Sequence, residues 1–185
     1  MTRPESIDAI FERFAQYGHR AYGEDVTELQ HALQTATFAM RGDEPDVVVA
    51  AALLHDYGHL CHDAGEDVAD RGVDARHEEL GAAALEELFD ERVIAGVRWH
   101  VDAKRYLCAR DDAYERALSP ASRQSLALQG GAMTAAECTR FERLPGSDIA
   151  VRVRRYDDAG KVVGMATAAL SSFRPLLMRL IRRAT

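Results

Sequence analysis

Apolar residues recur at spacings of three and four along most of this 185-residue chain, which is the periodicity of amphipathic helices. Ile7, Ile10 and Phe14 mark a first helix that is predicted to end near Gly18. The same spacing predicts further helices at 29–40, 47–54, 75–89, 91–107, 119–129, 134–144, 148–157 and 168–182. Alternating apolar residues, which would indicate strands, are scarce, so the pattern predicts an all-α fold.

Several of these helices have recognisable starts. Ser119 is predicted to cap a helix that has Pro120 in its first turn. Thr134 and Glu137 have the spacing of a capping box. Asp46 is predicted to cap the helix 47–54, which is apolar nearly all round and is therefore expected at the centre of the molecule.

The length of the chain fits a single domain, 1–185, with a core at 20–160 and a C-terminal helical extension at 161–185. Residues 63–74 are rich in Asp and Gly and are predicted to form a surface loop. Pro175 interrupts the amphipathic segment 168–182, so its apolar face is expected to pack on the domain rather than on a membrane.

The charge balance and the cysteines narrow the class of protein. A net charge of −7 argues against a nucleic-acid partner, which would call for a basic stripe, but it leaves a small anionic ligand open. No secretory leader or membrane span is predicted. Cys61, Cys108 and Cys138 are odd in number and widely spaced, so reduced thiols in the cytoplasm are expected.

The pair His55-Asp56 is the strongest sign of chemistry. It closes the apolar helix 47–54, where charged side chains are costly to bury unless they are paired or bind a metal. A lone His-Asp pair is weak evidence, and its weight comes from the other histidines of the chain.

Three further histidines, His31, His77 and His100, each lie inside or at the start of a predicted helix. Imidazole and carboxylate groups on separate helices can meet in the core of a bundle, where helical metal sites are built. Such ligands without sulfur suit iron, manganese or zinc. Of the remaining histidines, His19 and His62 are predicted to be surface residues.

The order of these residues resembles that of the HD-domain superfamily. Asp157 is the best candidate for the late aspartate of that pattern, with Asp158 and Asp148 as alternatives. The resemblance implies a metal held by His31, His55, Asp56 and Asp157. The extra pair His77 and His100 implies a second metal, with the Asp56 carboxylate bridging the two. The expected fold is therefore an HD-domain helical bundle with a buried dinuclear metal site.

Eight short segments carry a closer resemblance, which runs from about Tyr22 to about Lys161. They are Tyr22-Gly-Glu24, Leu29-Gln30-His31-Ala-Leu-Gln34, Ala52-Leu-Leu-His55-Asp56-Tyr-Gly-His59, His77-Glu, His100-Val-Asp-Ala-Lys104-Arg-Tyr-Leu107, Leu118-Ser-Pro-Ala-Ser122, Gln129-Gly-Gly-Ala-Met133 and Arg154-Arg-Tyr-Asp157. These segments resemble the HD-domain mixed-valent di-iron oxygenases that cleave the carbon–phosphorus bond of organophosphonates, which are relatives of myo-inositol oxygenase. The Lys-Arg-Tyr-Leu and Gln-Gly-Gly segments are the most specific.

This resemblance implies a cofactor of two iron ions in the Fe(II)/Fe(III) state, with dioxygen as co-substrate. The second iron would take Asp56, His77 and His100. The groups around the phosphonate and the C1 hydroxyl would be His59, Lys104, Ser122, Gln129 and Arg154, of which His59 and Lys104 are the catalytic candidates. A dianionic phosphonate calls for such a set of cations and neutral donors.

Helical spacing is compatible with two of these roles. Arg154 precedes Asp157 by three residues, and Lys104 follows His100 by four, so each pair shares a helix face. Each cation could instead be a solvated charge.

The loop before the first histidine departs from the family's pattern. By the resemblance, Glu24 would face a cationic amine of the substrate, and a tyrosine three residues before this glutamate would close the empty site by binding iron. Here Ala21 takes that position and Tyr22 follows it. The sequence leaves open whether Tyr22 binds iron. Tyr22 and Tyr57 are candidates for holding a quaternary ammonium on their aromatic faces.

The resemblance implies oxidative cleavage of a 1-hydroxy-2-aminoethylphosphonate, or of its N-trimethylated form, with release of phosphate and glycine or glycine betaine. A 2-oxoglutarate-dependent hydroxylase would supply this substrate. The alternative is a metal-dependent HD phosphohydrolase acting on a phosphate ester or nucleotide. A metal-stabilised binding domain is a third reading, but it predicts gaps in the ligand set. No nucleic-acid or membrane partner is expected, and the protein is expected to be a monomer or a small homo-oligomer.

Overall fold

A computed structural model describes residues 6–22, 25–61 and 76–182 of the chain. Within these ranges the secondary structure is helical, apart from isolated bridges that join Ala21 to Thr27 and Phe89 to Ile181. The α-helices are α1 (Ile7–Tyr17), α2 (Glu28–Arg41), α3 (Asp46–Leu54), α4 (His77–Leu85), α5 (Glu91–Arg110), α6 (Asp112–Ala117), α7 (Pro120–Leu128), α8 (Ala135–Phe141), α9 (Ser147–Ala159) and α10 (Arg174–Arg179). The prediction of an all-α fold is confirmed.

Helix α3 lies at the centre of the bundle, because every side chain from Val47 to Leu54 is buried. Helices α2, α5, α9 and α10 pack around it. The approach of α5 is close: a Cβ atom added to Gly96 would lie 2.6 Å from the Ala51 Cβ atom of α3 and 3.1 Å from the Ile149 Cγ2 atom of α9. This contact fixes the spacing of the helices that carry most of the candidate chemistry.

Most predicted caps are present. Side-chain oxygens of Ser119 and Thr134 accept hydrogen bonds from the first turns of α7 and α8, and Thr134 with Glu137 completes its capping box. The prediction for Asp46 is wrong. The cap residue of α3 is Pro45, and the Asp46 carboxylate instead pairs with Arg179 of α10. Helix α3 is thus held by burial rather than by a side-chain cap.

Helices α4 and α5 differ in length from the prediction. The segment predicted at 75–89 is helical from His77 to Leu85 only, with Arg76 before it in the left-handed region. Helix α5 runs three residues beyond 107, and α6 follows it at once. Asp111 joins α5 to α6 because its carboxylate accepts hydrogen bonds from the Ala113 and Tyr114 amides. No apolar periodicity predicted α6, since none of its residues is buried.

The C-terminal segment packs on the bundle, as expected. The helix predicted at 168–182 is much shorter: a 3-10 turn at Leu170–Phe173 leads into α10, Arg174–Arg179, and Pro175 starts this helix in its first turn rather than interrupting it. Phe173 and Leu177 are buried in the same core as α1 and α3. No helix in the described residues combines the length and the apolarity that a bilayer crossing needs. The segment predicted as a surface loop, 63–74, lies outside the described residues.

Candidate active site

Five helices deliver the six predicted metal ligands to one place. His31 comes from α2, His55 and Asp56 follow the end of α3, His77 begins α4, His100 lies on α5 and Asp157 lies on α9. All of them are buried except His77, which is partly exposed. Titratable groups at this depth need partners, since burial of an unpaired charge is costly.

Asp56 lies between two pairs of histidines. Its Oδ2 atom is 3.5 Å from His31 Nε2 and 3.1 Å from His55 Nε2. Its Oδ1 atom is 3.2 Å from His77 Nε2 and 3.3 Å from His100 Nε2. Each carboxylate oxygen therefore faces one pair, which is the arrangement that a bridging carboxylate requires.

Asp157 lies beside the first pair, His31 and His55. We call His31, His55, Asp56 and Asp157 the first metal group, and Asp56, His77 and His100 the second. Its Oδ1 atom is 3.4 Å from His31 Nε2, and its Oδ2 atom is 3.6 Å from His55 Nε2. The alternatives do not share this position: Asp158 pairs with Arg154 and Tyr114, and Asp148 is exposed in the first turn of α9. The structure therefore brings Asp157, and not its two rivals, to the histidines.

Backbone carbonyls orient three of the imidazole rings. The Nδ1 atoms of His31, His55 and His100 lie 2.9, 2.9 and 2.7 Å from carbonyl oxygens of Gly160, Ala52 and Val97. Because a carbonyl oxygen only accepts, each Nδ1 atom is the donor, and each Nε2 atom points inward toward the carboxylates, the usual orientation of metal-binding histidines.

The short distances between donor atoms are better explained by two bound metal ions than by hydrogen bonds between the side chains. The Nε2 atoms of His31 and His55 are 3.1 Å apart, and those of His77 and His100 are 3.0 Å apart. Within the described residues, Asp157 Oδ1 is buried without a hydrogen bond of good geometry. Four imidazoles and two carboxylates in two groups are a suitable donor set for two ions of iron, manganese or zinc.

Without an ion, the carboxylates and histidines shift one another's pKa. Burial alone would lower the pKa of His31, but Asp157 and Asp56 outweigh it and raise this pKa to about 9. Burial dominates at His100 and lowers its pKa to about 4. The pKa of Asp157 is held well below its ordinary value because Arg154 and His55 outweigh the effect of burial. Both carboxylates are therefore ionised and available as ligands.

His59 lies at the edge of the second group. Its ring stacks on that of His77 with centroids 4.1 Å apart. One ring nitrogen of His59, one carboxylate oxygen of Asp56 and one ring nitrogen of His77 all lie within 4.8 Å of one another. It comes from the 3-10 turn Tyr57–Cys61 that follows Asp56. The position is next to the metal ligands, where a substrate contact is expected.

Lys104 is a buried cation on the His100 face of α5. Its side chain is 3% exposed, and its Nζ atom donates a hydrogen bond of 2.8 Å to Ser125 Oγ of α7. Burial, with Arg154 nearby, lowers its pKa to about 7. The sequence pattern indicated Ser122 as a site residue but not Ser125, which lies one turn further along the same helix.

Arg154 is also buried, but acidic groups surround it. Its guanidinium lies 2.6 Å from Asp157 Oδ2 and forms a second ion pair with Asp158. The Tyr114 hydroxyl accepts a hydrogen bond from Arg154 Nε and donates one to Asp158. Tyr114 was missed because it lies on α6, which no pattern predicted.

Gln129 closes α7 beside the two glycines of the specific segment Gln-Gly-Gly. Its Oε1 atom is buried without a hydrogen-bond partner in the described part of the chain. The adjoining loop is held by Arg105, whose Nε atom donates to the Gly131 carbonyl and whose own carbonyl accepts from the Met133 amide. The Lys104-Arg105 segment thus connects to the Gln-Gly-Gly segment, which explains why both occur in the same pattern.

Tyr22 lies over the first metal group. Its ring stacks on the His31 imidazole with centroids 3.8 Å apart and an angle of 14° between the planes. Glu24, the predicted partner of a cationic amine, lies outside the described residues. Tyr57 does not support the aromatic role suggested for it, because its ring is buried in the main core and contacts Phe14 edge-on. Of the two tyrosines, only Tyr22 has its ring stacked on a candidate metal ligand.

Two smaller expectations concern the other histidines. His19 is exposed, as predicted. His62 falls outside the described residues.

Comparison with known proteins agrees with this site. The HD domain family matches residues 29–154. The chain is 42% identical over 178 residues to the [1-hydroxy-2-(trimethylamino)ethyl]phosphonate dioxygenase (glycine-betaine-forming) of Leisingera caerulea, a match that covers 96% of this chain and 89% of that protein. It is 39% identical over 173 residues to the hydroxymethylphosphonate dioxygenase of Gimesia maris, covering 93% and 86% of the two chains. The chain therefore belongs to the HD domain family and, within it, to the family of these phosphonate dioxygenases.

Proposed function

We propose that this protein cleaves the carbon–phosphorus bond of a 1-hydroxy-2-aminoethylphosphonate or of its N-trimethylated form, using dioxygen. The carbon that carries the hydroxyl becomes a carboxylate, so that the products are phosphate and glycine, or phosphate and glycine betaine. The two oxygen atoms of dioxygen balance this reaction, one in each product. The names of both similar dioxygenases support oxidative cleavage rather than hydrolysis.

The observation that carries the proposal is the position of Asp56, with one carboxylate oxygen toward each histidine pair. We propose a mixed-valent Fe(II)/Fe(III) pair, the first iron on His31, His55, Asp56 and Asp157 and the second on Asp56, His77 and His100. When bound, the two ions supply a chelation site for the substrate and a redox-active site for dioxygen. Everything else required of the protein is binding, orientation and exclusion of water.

The phosphonate is assigned to Lys104, Ser122, Gln129 and Arg154, with His59 near the C1 hydroxyl. A buried ammonium supplies charge where water cannot screen it, and Ser122 and Gln129 supply neutral hydrogen-bonding groups. Arg154 connects this anion site to the first metal group because it contacts Asp157 directly. In this proposal the phosphorus lies beside the metals rather than in solvent.

The side group of the substrate is the open part of the proposal, since the two similar dioxygenases bear names of substrates with and without an amine. We assign recognition of the cationic amine to Glu24 and Tyr22. Tyr22 supports this because its aromatic ring lies directly over His31, at the metal group itself.

We place the reaction in the cytoplasm, after a 2-oxoglutarate-dependent hydroxylase that installs the C1 hydroxyl. The three cysteines support this location because all are buried and unpaired, as expected of thiols in a reducing compartment.

The test is phosphate release by iron-loaded protein with and without dioxygen. The substrates are 1-hydroxy-2-aminoethylphosphonate, its trimethylammonio analogue, hydroxymethylphosphonate and a generic phosphate ester. Release from a phosphonate only in the presence of dioxygen is expected, and the ranking of the three phosphonates identifies the side group. Release from the ester without dioxygen, and none from the phosphonates, would instead establish a phosphohydrolase on the same ligands.

A further inference from the structure

The chain contains only two lysines, Lys104 and Lys161, among its 23 basic residues, and all the others are arginines. Both lysines contact the same helix. Lys104 Nζ donates to Ser125 Oγ at 2.8 Å, and Lys161 Nζ donates to Ser122 Oγ at 2.9 Å. Two ammonium groups therefore lie at serines one turn apart on α7.

The position of Lys161 is fixed by the backbone on both sides of it. The Gln34 side chain, which is 2% exposed, accepts from the Val162 amide and donates to the Val162 carbonyl. The Gly160 carbonyl lies 2.9 Å from His31 Nδ1, the nitrogen that orients a metal ligand. We call residues 160–162 the strap, because they tie the end of α9 to α2. The strap thus holds the base of the Lys161 side chain in register with the first metal group.

The charges around the anion site leave a place for a second lysine. Arg154 cannot supply a full positive charge to a ligand, because Asp157 and Asp158 already compensate its guanidinium. Lys104 then supplies positive charge beside Ser125, and a phosphonate dianion, which carries two negative charges, favours a further cation at the site. The Lys161 ammonium lies at Ser122, a residue already assigned to the phosphonate, and is therefore placed to contact the same ligand.

Lysine suits this position better than arginine would. Its ammonium is a compact charge with three donors, so it can bond a serine hydroxyl and a ligand oxygen at once. The Ser125 hydroxyl donates to the Ser122 carbonyl, so its oxygen is left to accept from Lys104. Lys161 Nζ also lies 5.7 Å from the centre of the Tyr22 ring. The Lys161 ammonium therefore lies between the anion site and Tyr22, whose ring stacks on His31.

We propose that Lys161 is a second substrate-binding lysine. Lys161, at Ser122, and Lys104, at Ser125, both bind the phosphonate group. The inference deepens the proposed function and rests on it for the identity of the ligand. It adds a residue from the strap to an anion site otherwise built from α5, α7 and α9.

The two-lysine composition gives a direct binding assay. Protein labelled with 13C at lysine Cε and loaded with zinc, which is diamagnetic, should give two side-chain signals. Titration with inorganic phosphate and with methylphosphonate should shift both signals with one common dissociation constant. A Lys161 signal that stays in place while the Lys104 signal moves would overturn the inference. This measurement uses the unaltered protein, so it does not depend on how a variant folds.

The kinetic test compares K161M with K161R and with R155M, which removes an exposed cation from the residue next to Arg154. K161M should raise the KM for the phosphonate and the dissociation constant of phosphate by roughly 10- to 100-fold, the cost of a lost charged hydrogen bond. K161R should recover most of this loss, and R155M should match the wild type. An unchanged KM in K161M refutes the role of Lys161, provided that the purified variant unfolds at the wild-type temperature.

Failure of the proposed function gives a different result. If phosphate shifts both lysine signals but no phosphonate is cleaved with dioxygen, the reaction is wrong and the two-lysine anion site stands. If cleavage proceeds normally in K161M at the wild-type KM, the reaction stands and the role of Lys161 is refuted.

Discussion

Asp56 is the residue that faces both histidine pairs, with one carboxylate oxygen toward each. The sequence identified Asp56 by its place at the end of a wholly apolar helix, and it identified the histidines by their place on helices. Those positions were predictable because burial of a titratable group requires a reason. Lys161 and Ser125 were not predictable in this way, since neither sits in an apolar pattern.

Substitution of Asp56 should therefore cost more metal than substitution of a histidine in one group. We expect H77A to keep about one ion per chain and D56N to keep well below one, because the loss of a shared ligand weakens both positions. Metal content per chain, measured by mass spectrometry after gel filtration, checks this. H19A, at an exposed histidine, should retain about two ions. Equal losses in D56N and H77A would rule out a bridging role.

Lys104 should lower the free energy of unfolding of the protein. Its pKa falls from 10.5 to about 7 on folding, so the unfolded chain holds this proton more tightly. The penalty is complete below pH 7 and disappears as the pH rises to 10.5, because only between these values does the unfolded state bind the extra proton. K104M should therefore raise the free energy of unfolding at pH 6 by roughly 1–4 kcal/mol while it weakens phosphonate binding.

Urea unfolding of wild type and K104M at pH 6 and pH 9 measures this difference. The advantage of K104M should shrink at the higher pH. An advantage that is the same at both values would mean that the cost of Lys104 is not electrostatic.

The helices vary in how far the sequence revealed them. Helix α3 was predicted to the residue at its C-terminal end, and α7 and α8 were predicted from their caps. Helix α6 was not predicted, because it buries no side chain and depends on Asp111 for its start. The strap was not predicted either, because it shows no apolar pattern. Its backbone atoms bond to Gln34 and His31, which are over a hundred residues away in the chain.

The strap requires glycine at position 160. A Cβ atom there would lie 2.4 Å from Thr35 Oγ1 and 3.3 Å from His31 Nδ1. We expect G160A to displace the strap and to weaken the first metal site by roughly 10- to 100-fold, the usual effect of losing a bond that orients a ligand. Metal titration by calorimetry checks the affinity.

The double variant G160A/T35A removes the closest obstacle and should recover part of the lost affinity. No recovery would place the fault in the glycine backbone rather than in the contact with Thr35.

At the scale of the whole molecule, the order of the ligands along the chain predicted the site, because distant residues in this order resemble a known family. The geometry added what order cannot contain: which aspartate of α9 faces inward, which cations are already neutralised, and which tyrosine lies over the ligands. Those features depend on packing between helices rather than on periodicity within one helix.

The ligands connect metal binding to the stability of the entire bundle. In metal-free protein the raised pKa of His31 stabilises the fold below pH 6.5, and this stabilisation is lost as the pH rises to about 9. A bound ion replaces the proton, so metal-loaded protein should not suffer that loss. We expect metal to raise Tm by roughly 5–10 °C at a hundredfold excess over its Kd, and more at pH 9 than at pH 6.

Thermal melts of metal-loaded and chelator-treated protein across this pH range provide the measurement. A gain in Tm that narrows with rising pH would contradict the link between His31 and the fold.

The contact between Gly96 and Ala51 has a consequence for how this protein can change. It joins α3, whose end leads directly into His55 and Asp56, to α5, which carries His100, with no room for one more methyl group. A residue of greater volume at this contact would push α3 and α5 apart, and with them the two halves of the candidate metal site. Substitutions away from this junction, such as ones that alter which side group of the substrate is recognised, would leave the spacing of the candidate metal ligands unchanged.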